Sequence, residues 1–139
     1  MNAIDTNILL YTIDTNEPIK RAKAIAFLDR LNRDSSSSVL LWQVAVEYLA
    51  VMRRWAQRGK FDPRKIERGL EEVLMFHDLV VPTRDVLGIS LSLSSKYMLS
   101  HWDSMLLAAC IDAGVSTLYS EDLADGMVYE SVRVVNPLK

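Results

Sequence analysis

Along the chain, short apolar runs alternate with stretches in which apolar residues recur every three or four positions. Residues 1–5 make a short apolar segment ending on Asp5, which predicts a strand. Asp5-Thr6-Asn7 then opens the run 8–11 with residue types that favour helix N-termini, because their side-chain oxygens accept from N–H groups left without partners in a first turn. Beyond Pro18, the positions Ala22, Ile25, Leu28 and Leu31 recur at helical spacing with charges between them, the pattern of an amphipathic helix. Residues 35–38 are a serine break, and Val39-Leu40-Leu41 predicts a short buried strand. Residues 43–58 read as a helix stopped by Gly59, and Pro63 opens another with an apolar stripe at Ile66, Leu70, Val73 and Phe76.

Leu79-Val80-Val81, just before Pro82, predicts a third strand. Two helices follow over 83–99 and 100–113, the second closed by Gly114. Thr117-Leu118-Tyr119 is a fourth strand, residues 120–126 a polar loop, and residues 132–135 before Asn136-Pro137 a last strand. This alternation predicts one α/β domain over residues 1–139, built in three layers: a mainly parallel central sheet of about five strands with helices on both faces. No internal repeat or linker interrupts it.

Composition narrows the picture. A chain of 139 residues, 50% apolar and 24% charged, has the size and balance of one globular domain, and 5 Gly with 4 Pro excludes a collagen-like or low-complexity protein. No uncharged apolar run reaches the roughly 18 residues of a membrane span, and Asp5 stands where a secretory leader carries Lys or Arg. The expectation is a cytoplasmic protein without a membrane partner. The single cysteine, Cys110, cannot pair within the chain and reads as a small apolar residue among Ala108, Ala109 and Ile111. With only His77 and His101 beside it, there is no Cys/His set for zinc, so a metal would be held by oxygen.

Charge matters through its distribution. The net charge of −2 argues against a nucleic-acid partner, yet within residues 53–68 Arg53, Arg54, Arg58, Lys60, Arg64, Lys65 and Arg68 face only Asp62 and Glu67, which leaves that segment at +5. It reads either as a solvated helix end and loop or as a contact for an RNA backbone, with Arg53, Arg54 and Arg58 as the candidate residues. Lys20, Arg21 and Lys23 are the alternative basic surface.

Four acids occupy places that a parallel sheet can bring together at the carboxyl ends of its strands. Asp5 ends the first strand, Asp122 follows the fourth, Asp103 lies in the first turn of the last helix, and Glu47 lies in the helix after the second strand. Each except Glu47 has a structural reading. Asp5 and Asp122 fit turn caps, Ser100-x-x-Asp103 fits a capping box, and Asp125-Gly126 fits a turn. Glu47 is the one charged residue between Val44 and Met52, and its neighbours Val44, Tyr48 and Val51 predict a core-facing position. A buried carboxylate needs compensation, by a metal or an internal polar cluster, and an oxygen-only donor set suits Mg²⁺ or Mn²⁺.

The segments Ile4-Asp5-Thr6-Asn7-Ile8-Leu9-Leu10-Tyr11, Gln43-Val44-x-x-Glu47-Tyr48, Trp102-Asp103-x-x-Leu106-Leu107-Ala108-Ala109 and Ser120-Glu121-Asp122-Leu123-x-Asp125-Gly126, with Asn136-Pro137 behind them, together resemble a PIN-domain ribonuclease of the VapC toxin type. The likeness spans the whole chain in order. It implies that Asp5, Glu47, Asp103 and Asp122 form a catalytic, metal-binding acidic pocket. Thr6, Asn7 and Ser120 are then polar auxiliaries, and Asp125 a water-mediated one. Trp42 departs from the family pattern, which has a small polar residue before the Gln-Val pair. Trp42, Trp55 and Met52 read here as core or dimer-interface residues rather than as platforms for bases.

The resemblance implies a metal-dependent endoribonuclease, the toxin of a type II toxin–antitoxin pair, that cuts single-stranded or looped RNA and leaves a 5′-phosphate. Its implied partners are RNA, a cognate antitoxin and a second copy of the chain. A bound divalent ion acidifies a water and neutralises the scissile phosphate, so no histidine is required. A haloacid-dehalogenase-like phosphatase wants a second acid two residues after the first, where this chain has Asn7. A catalytically silent PIN-like module that binds RNA or protein is the other reading, and the complete acid set speaks against it.

Overall fold

A computed structural model describes residues 1–34 and 37–139; Ser35 and Ser36, half of the expected serine break, lie outside the described residues. In chain order the elements are β1 (Asn2–Ile4), α1 (Thr6–Tyr11), α2 (Pro18–Arg33), β2 (Ser38–Leu41), α3 (Trp42–Gln57), α4 (Ile66–Phe76), β3 (Asp78–Val80), α5 (Asp85–Tyr97), α6 (His101–Ala113), β4 (Thr117–Tyr119), β5 (Val128–Tyr129) and β6 (Val132–Val135). A 3-10 turn at Pro63–Lys65 leads into α4.

The strands form one sheet of six in the order β3-β2-β1-β4-β6-β5. Every pairing is parallel except the β5–β6 hairpin. The sheet thus has one strand more than the pattern of apolar runs suggests. β5 is two residues long, with Val128 exposed and Tyr129 buried, too short for an alternation to register. The remaining elements lie within a residue or two of the expected positions. Gly59 and Gly114 end α3 and α6 at φ +73° and +74°, the left-handed conformation glycine adopts at low cost.

The strand order decides where a ligand can sit. From β1 the chain moves outward through β2 to β3, then crosses back to β4 on the other side of β1. Crossovers of one hand in opposite directions put the helices on both faces and open a crevice at the carboxyl ends of β1 and β4. In register, Ile4 stands beside Tyr119, so Asp5 and Ser120 leave the sheet side by side. The core below is apolar: Ala3, Ile8, Leu40, Val44, Met52, Leu107, Leu118 and Val134 are closed to solvent. Met52 and Cys110 belong to this core as expected, whereas Phe76 ends α4 largely exposed. Among the described residues, no helix is long and apolar enough to cross a membrane.

Candidate active site

Asp5 is held more firmly than any other acid of the set. As the N-cap of α1 it accepts at Oδ1 from the Thr6 N–H at 2.7 Å, and at Oδ2 from the Ser120 hydroxyl, also at 2.7 Å. The cap reading and the site reading are therefore both satisfied by one side chain. Asp5 is 7% exposed. Burial pushes its carboxyl from the ordinary 3.8 up to about 6; the Ser120 and Thr6 hydrogen bonds pull against this, and the nearby charges of Asp122 and Glu47 add to the rise.

Ser120 is fully buried and works in two directions, because its Oγ also accepts from the Asp122 N–H at 3.1 Å. That turn leaves the Asp122 side chain exposed and, among the described residues, with no hydrogen bond or ion pair, so Asp122 is not a cap. Its neighbour Glu121 pairs with Lys20 at 2.6 Å, which fastens this loop to α2.

Glu47 corrects the expectation of a core-facing carboxylate. It is half-buried, between the buried Val44 and Tyr48 on one side and the exposed Val46 on the other. The Thr6 hydroxyl donates to Oε2 and the Gln43 amide to Oε1, each at 2.9 Å, so a polar cluster meets the carboxylate without invoking an ion. Asp103, in the first turn of α6, completes only half of a capping box: its N–H donates to Ser100 Oγ at 3.3 Å, while its carboxylate returns no bond.

All four acids border one cleft of about 680 Å³, together with Trp42, Gln43, Val46, Pro82, Trp102 and apolar neighbours. Their donor chemistry, oxygen without nitrogen or sulfur, fits a hard divalent ion, and Asp103 and Asp122 keep their lone pairs unengaged. Among the described residues, no group of three or more acid, His or Cys side chains stands at the spacing that holds an ion. Like-charge repulsion opposes closer approach, and a cation between the carboxylates removes it.

The other candidates disperse. Asn7, in α1, has a buried amide whose Nδ2 and Oδ1 find no partner among the described residues. Asp125 turns to the C-terminal segment instead, accepting from the Asn136 N–H at 2.8 Å and from Lys139 at 3.1 Å. Arg53, Arg54 and Arg58 are exposed at the far end of α3, outside the cleft lining and about 9–16 Å along the helix from Glu47. Lys20, Arg21 and Lys23 bind Glu121, Thr12 O and Leu138 O.

Two residue roles escaped the sequence pattern. Gln43 orients Glu47 and also donates to Trp102 O at 3.2 Å, tying the start of α3 to the start of α6; its position one turn before Glu47 is a signal that could have found it. Trp42 is not a core residue: it is 47% exposed and lines the cleft, as does Trp102 at 64%.

The PIN-domain family model matches residues 3–124. No curated protein matches the sequence. Among solved structures, the fold is similar to a toxin–antitoxin complex from Klebsiella pneumoniae at 18% identity, covering 99% of this chain and 98% of that one with a TM-score of 0.71. It is similar to VapC20 of Mycobacterium tuberculosis, a toxin that cleaves the sarcin–ricin loop, at 13% identity, covering 88% and 90% with a TM-score of 0.67. FitAcB from Neisseria gonorrhoeae aligns at 15% identity over 99% and 98%, also at 0.67.

Proposed function

The chain belongs to the PIN-domain family, and from that premise we propose that it is a metal-dependent endoribonuclease, the toxin of a toxin–antitoxin pair. The observation that carries this reading is the meeting of Asp5, Glu47, Asp103 and Asp122, from four separate parts of the chain, around one cleft at the switch point of the sheet. Hydrolysis adds water across a P–O3′ bond and leaves a 5′-phosphate and a 3′-hydroxyl.

Asp5, Glu47, Asp103 and Asp122 would hold Mg²⁺ or Mn²⁺. Such an ion, when bound, acidifies a water and neutralises charge on the phosphoryl oxygens. The chain's own contribution is orientation. Thr6 and Ser120 hold Asp5 from both sides, Thr6 and Gln43 hold Glu47, and Asp103 and Asp122 bring carboxylates that no protein donor has claimed among the described residues. The unpartnered Asn7 amide is a further auxiliary in this reading, and Arg53, Arg54 and Arg58 form a remote contact for RNA phosphates.

An antitoxin partner is supported by a groove between α2 and α4. Leu9, Ile25, Leu28, Val73 and Phe76 line its apolar part, and it runs past Ile13 and Gly69 into a stretch in which Arg21, Lys60, Lys65 and Arg68 outnumber Asp62 and Glu72. That surface suits an amphipathic helix with acidic residues at one end. A homodimer is supported by Leu87 and Leu91, one turn apart on α5 and both largely exposed. The test of the reading is cleavage of generic RNA by the purified chain with Mg²⁺ or Mn²⁺, lost in EDTA. RNA binding without cleavage would instead assign a silent module, and phosphate release from small phosphoesters a phosphatase.

A further inference from the structure

The lining of the acidic cleft contains four carboxylates and, among the described residues, no Lys, Arg or His. No Lys, Arg or His of this lining can pair with a phosphate, which leaves polar and aromatic groups as the side chains available to RNA beside the acids. The available surface is aromatic. Trp42 and Trp102 are mostly solvent-exposed indoles bordering the cleft, and neither N–H has an acceptor among the described residues. Each lies in the first turn of a long helix, and each helix carries one of the acids: Glu47 five residues beyond Trp42, Asp103 next to Trp102.

The Trp102 indole is positioned. Gln43 joins the two helix starts through Trp102 O, and the His101 ring packs edge-on to Trp102, centroids 4.5 Å apart at 75°. The third indole differs: Trp55 is half-buried with the Lys60 ammonium 5.0 Å from its ring centre. A cleft of about 680 Å³ lies within the size range of small-molecule sites, and base stacking on an aromatic face needs no hydrogen-bond partner.

Resting on the nuclease reading, we propose that Trp42 and Trp102 are substrate-positioning residues of this chain that stack an unpaired base beside the scissile phosphate, on the single-stranded or looped RNA that the family resemblance already implies. In a duplex both faces of each base are already stacked on neighbours, which denies the indoles a partner. Base–aromatic stacking predicts that losing one indole weakens binding roughly 5- to 150-fold.

The test uses the full chain carrying Asp5→Asn, which prevents turnover, and Trp55→Phe, which removes the third indole's emission. A short unstructured RNA added with Mg²⁺ should quench tryptophan fluorescence, and a duplex of the same length should not. Trp42→Ala and Trp102→Ala should each weaken binding of the single strand by the factor above, while Trp102→Phe retains most of it. Equal affinity for all variants, or equal quenching by the duplex, overturns the proposal. So does loss of RNA binding accompanied by a shift from dimer to monomer in sedimentation, which would give this face to a second copy. The nuclease reading fails separately: if wild-type chain cuts no RNA but binds it through the indoles, only the hydrolysis is wrong. If wild-type and Trp42→Ala/Trp102→Ala chains cut single-stranded RNA at equal kcat/KM, the stacking role is wrong and the nuclease stands.

Discussion

Ser120 and Asp5, 115 residues apart in sequence, share a buried hydrogen bond of 2.7 Å. The bond exists because β1 and β4 are neighbours in parallel register, and it joins the first acid of the chain to the loop that carries the last. Removing the hydroxyl leaves Asp5 Oδ2 without its donor inside the protein. Ser120→Ala should therefore cost about 1–3 kcal/mol in urea unfolding at pH 8, where Asp5 is ionised, and less at pH 4, where it is neutral. An equal cost at both pH values would mean that the hydroxyl supports packing rather than the carboxylate.

Asp5 also sets a pH dependence of the metal-free protein. Its folded pKa, about 6, is above the ordinary 3.8, because burial disfavours the charged form. Between these values the folded chain holds a proton that the unfolded chain has released, so this group makes stability fall as pH rises from about 4 to about 6, and contributes no slope above that. The full effect is about 3 kcal/mol. Asp5→Asn should abolish that part of the slope and be more stable than wild type at pH 7. Unfolding free energies with the same slope in both chains would contradict the buried charge.

Divalent ions should reverse this penalty. An ion that binds only the folded chain at ten times its Kd adds about 1.4 kcal/mol, or roughly 5 °C in Tm for a chain of this length. The rise should occur with Mg²⁺ or Mn²⁺ and vanish in EDTA. An unmoved Tm at millimolar metal would leave the four acids as separate structural groups.

The acids were legible in the sequence because each sits at a break between elements, where a strand end or a first helical turn places it regardless of packing detail. Glu47 was legible as an acid of the cleft and misread in its burial, since helix phase alone does not say whether a position lying, around the helix, between the buried Val44 and the exposed Val46 meets the core or the rim. The tryptophans were hidden for a related reason. An indole in an apolar run reads as core, but β2 passes directly into α3 with Leu41 as the cap residue, so Trp42 emerges at the end of the sheet beside the cleft. Asp125 looked like part of the acidic loop, and only the return of the chain at Asn136 gave it another partner.

The basic end of α3 makes a further prediction. If Arg53, Arg54 and Arg58 contact RNA phosphates, replacing all three with Ala should weaken binding to every sequence and reduce the slope of log affinity against log salt by about 2 for a single strand. Being exposed, they should leave Tm and metal affinity nearly unchanged. An unaltered salt slope would remove them from the substrate path.

Asp103 separates the charge of the acidic cleft from the stability of the fold. Its carboxylate has no protein partner among the described residues, so Asp103→Asn changes charge without dismantling the fold. Single-turnover cleavage of an RNA should be followed for wild type and for this variant across a Mg²⁺ titration and again in EDTA. Wild type should cleave only with metal, the variant should lose at least 100-fold at saturating Mg²⁺, roughly 2.7 kcal/mol of transition-state stabilisation, and both metal-free chains should show the same Tm. Cleavage in EDTA, or an undiminished rate in Asp103→Asn, would contradict the metal-dependent nuclease reading.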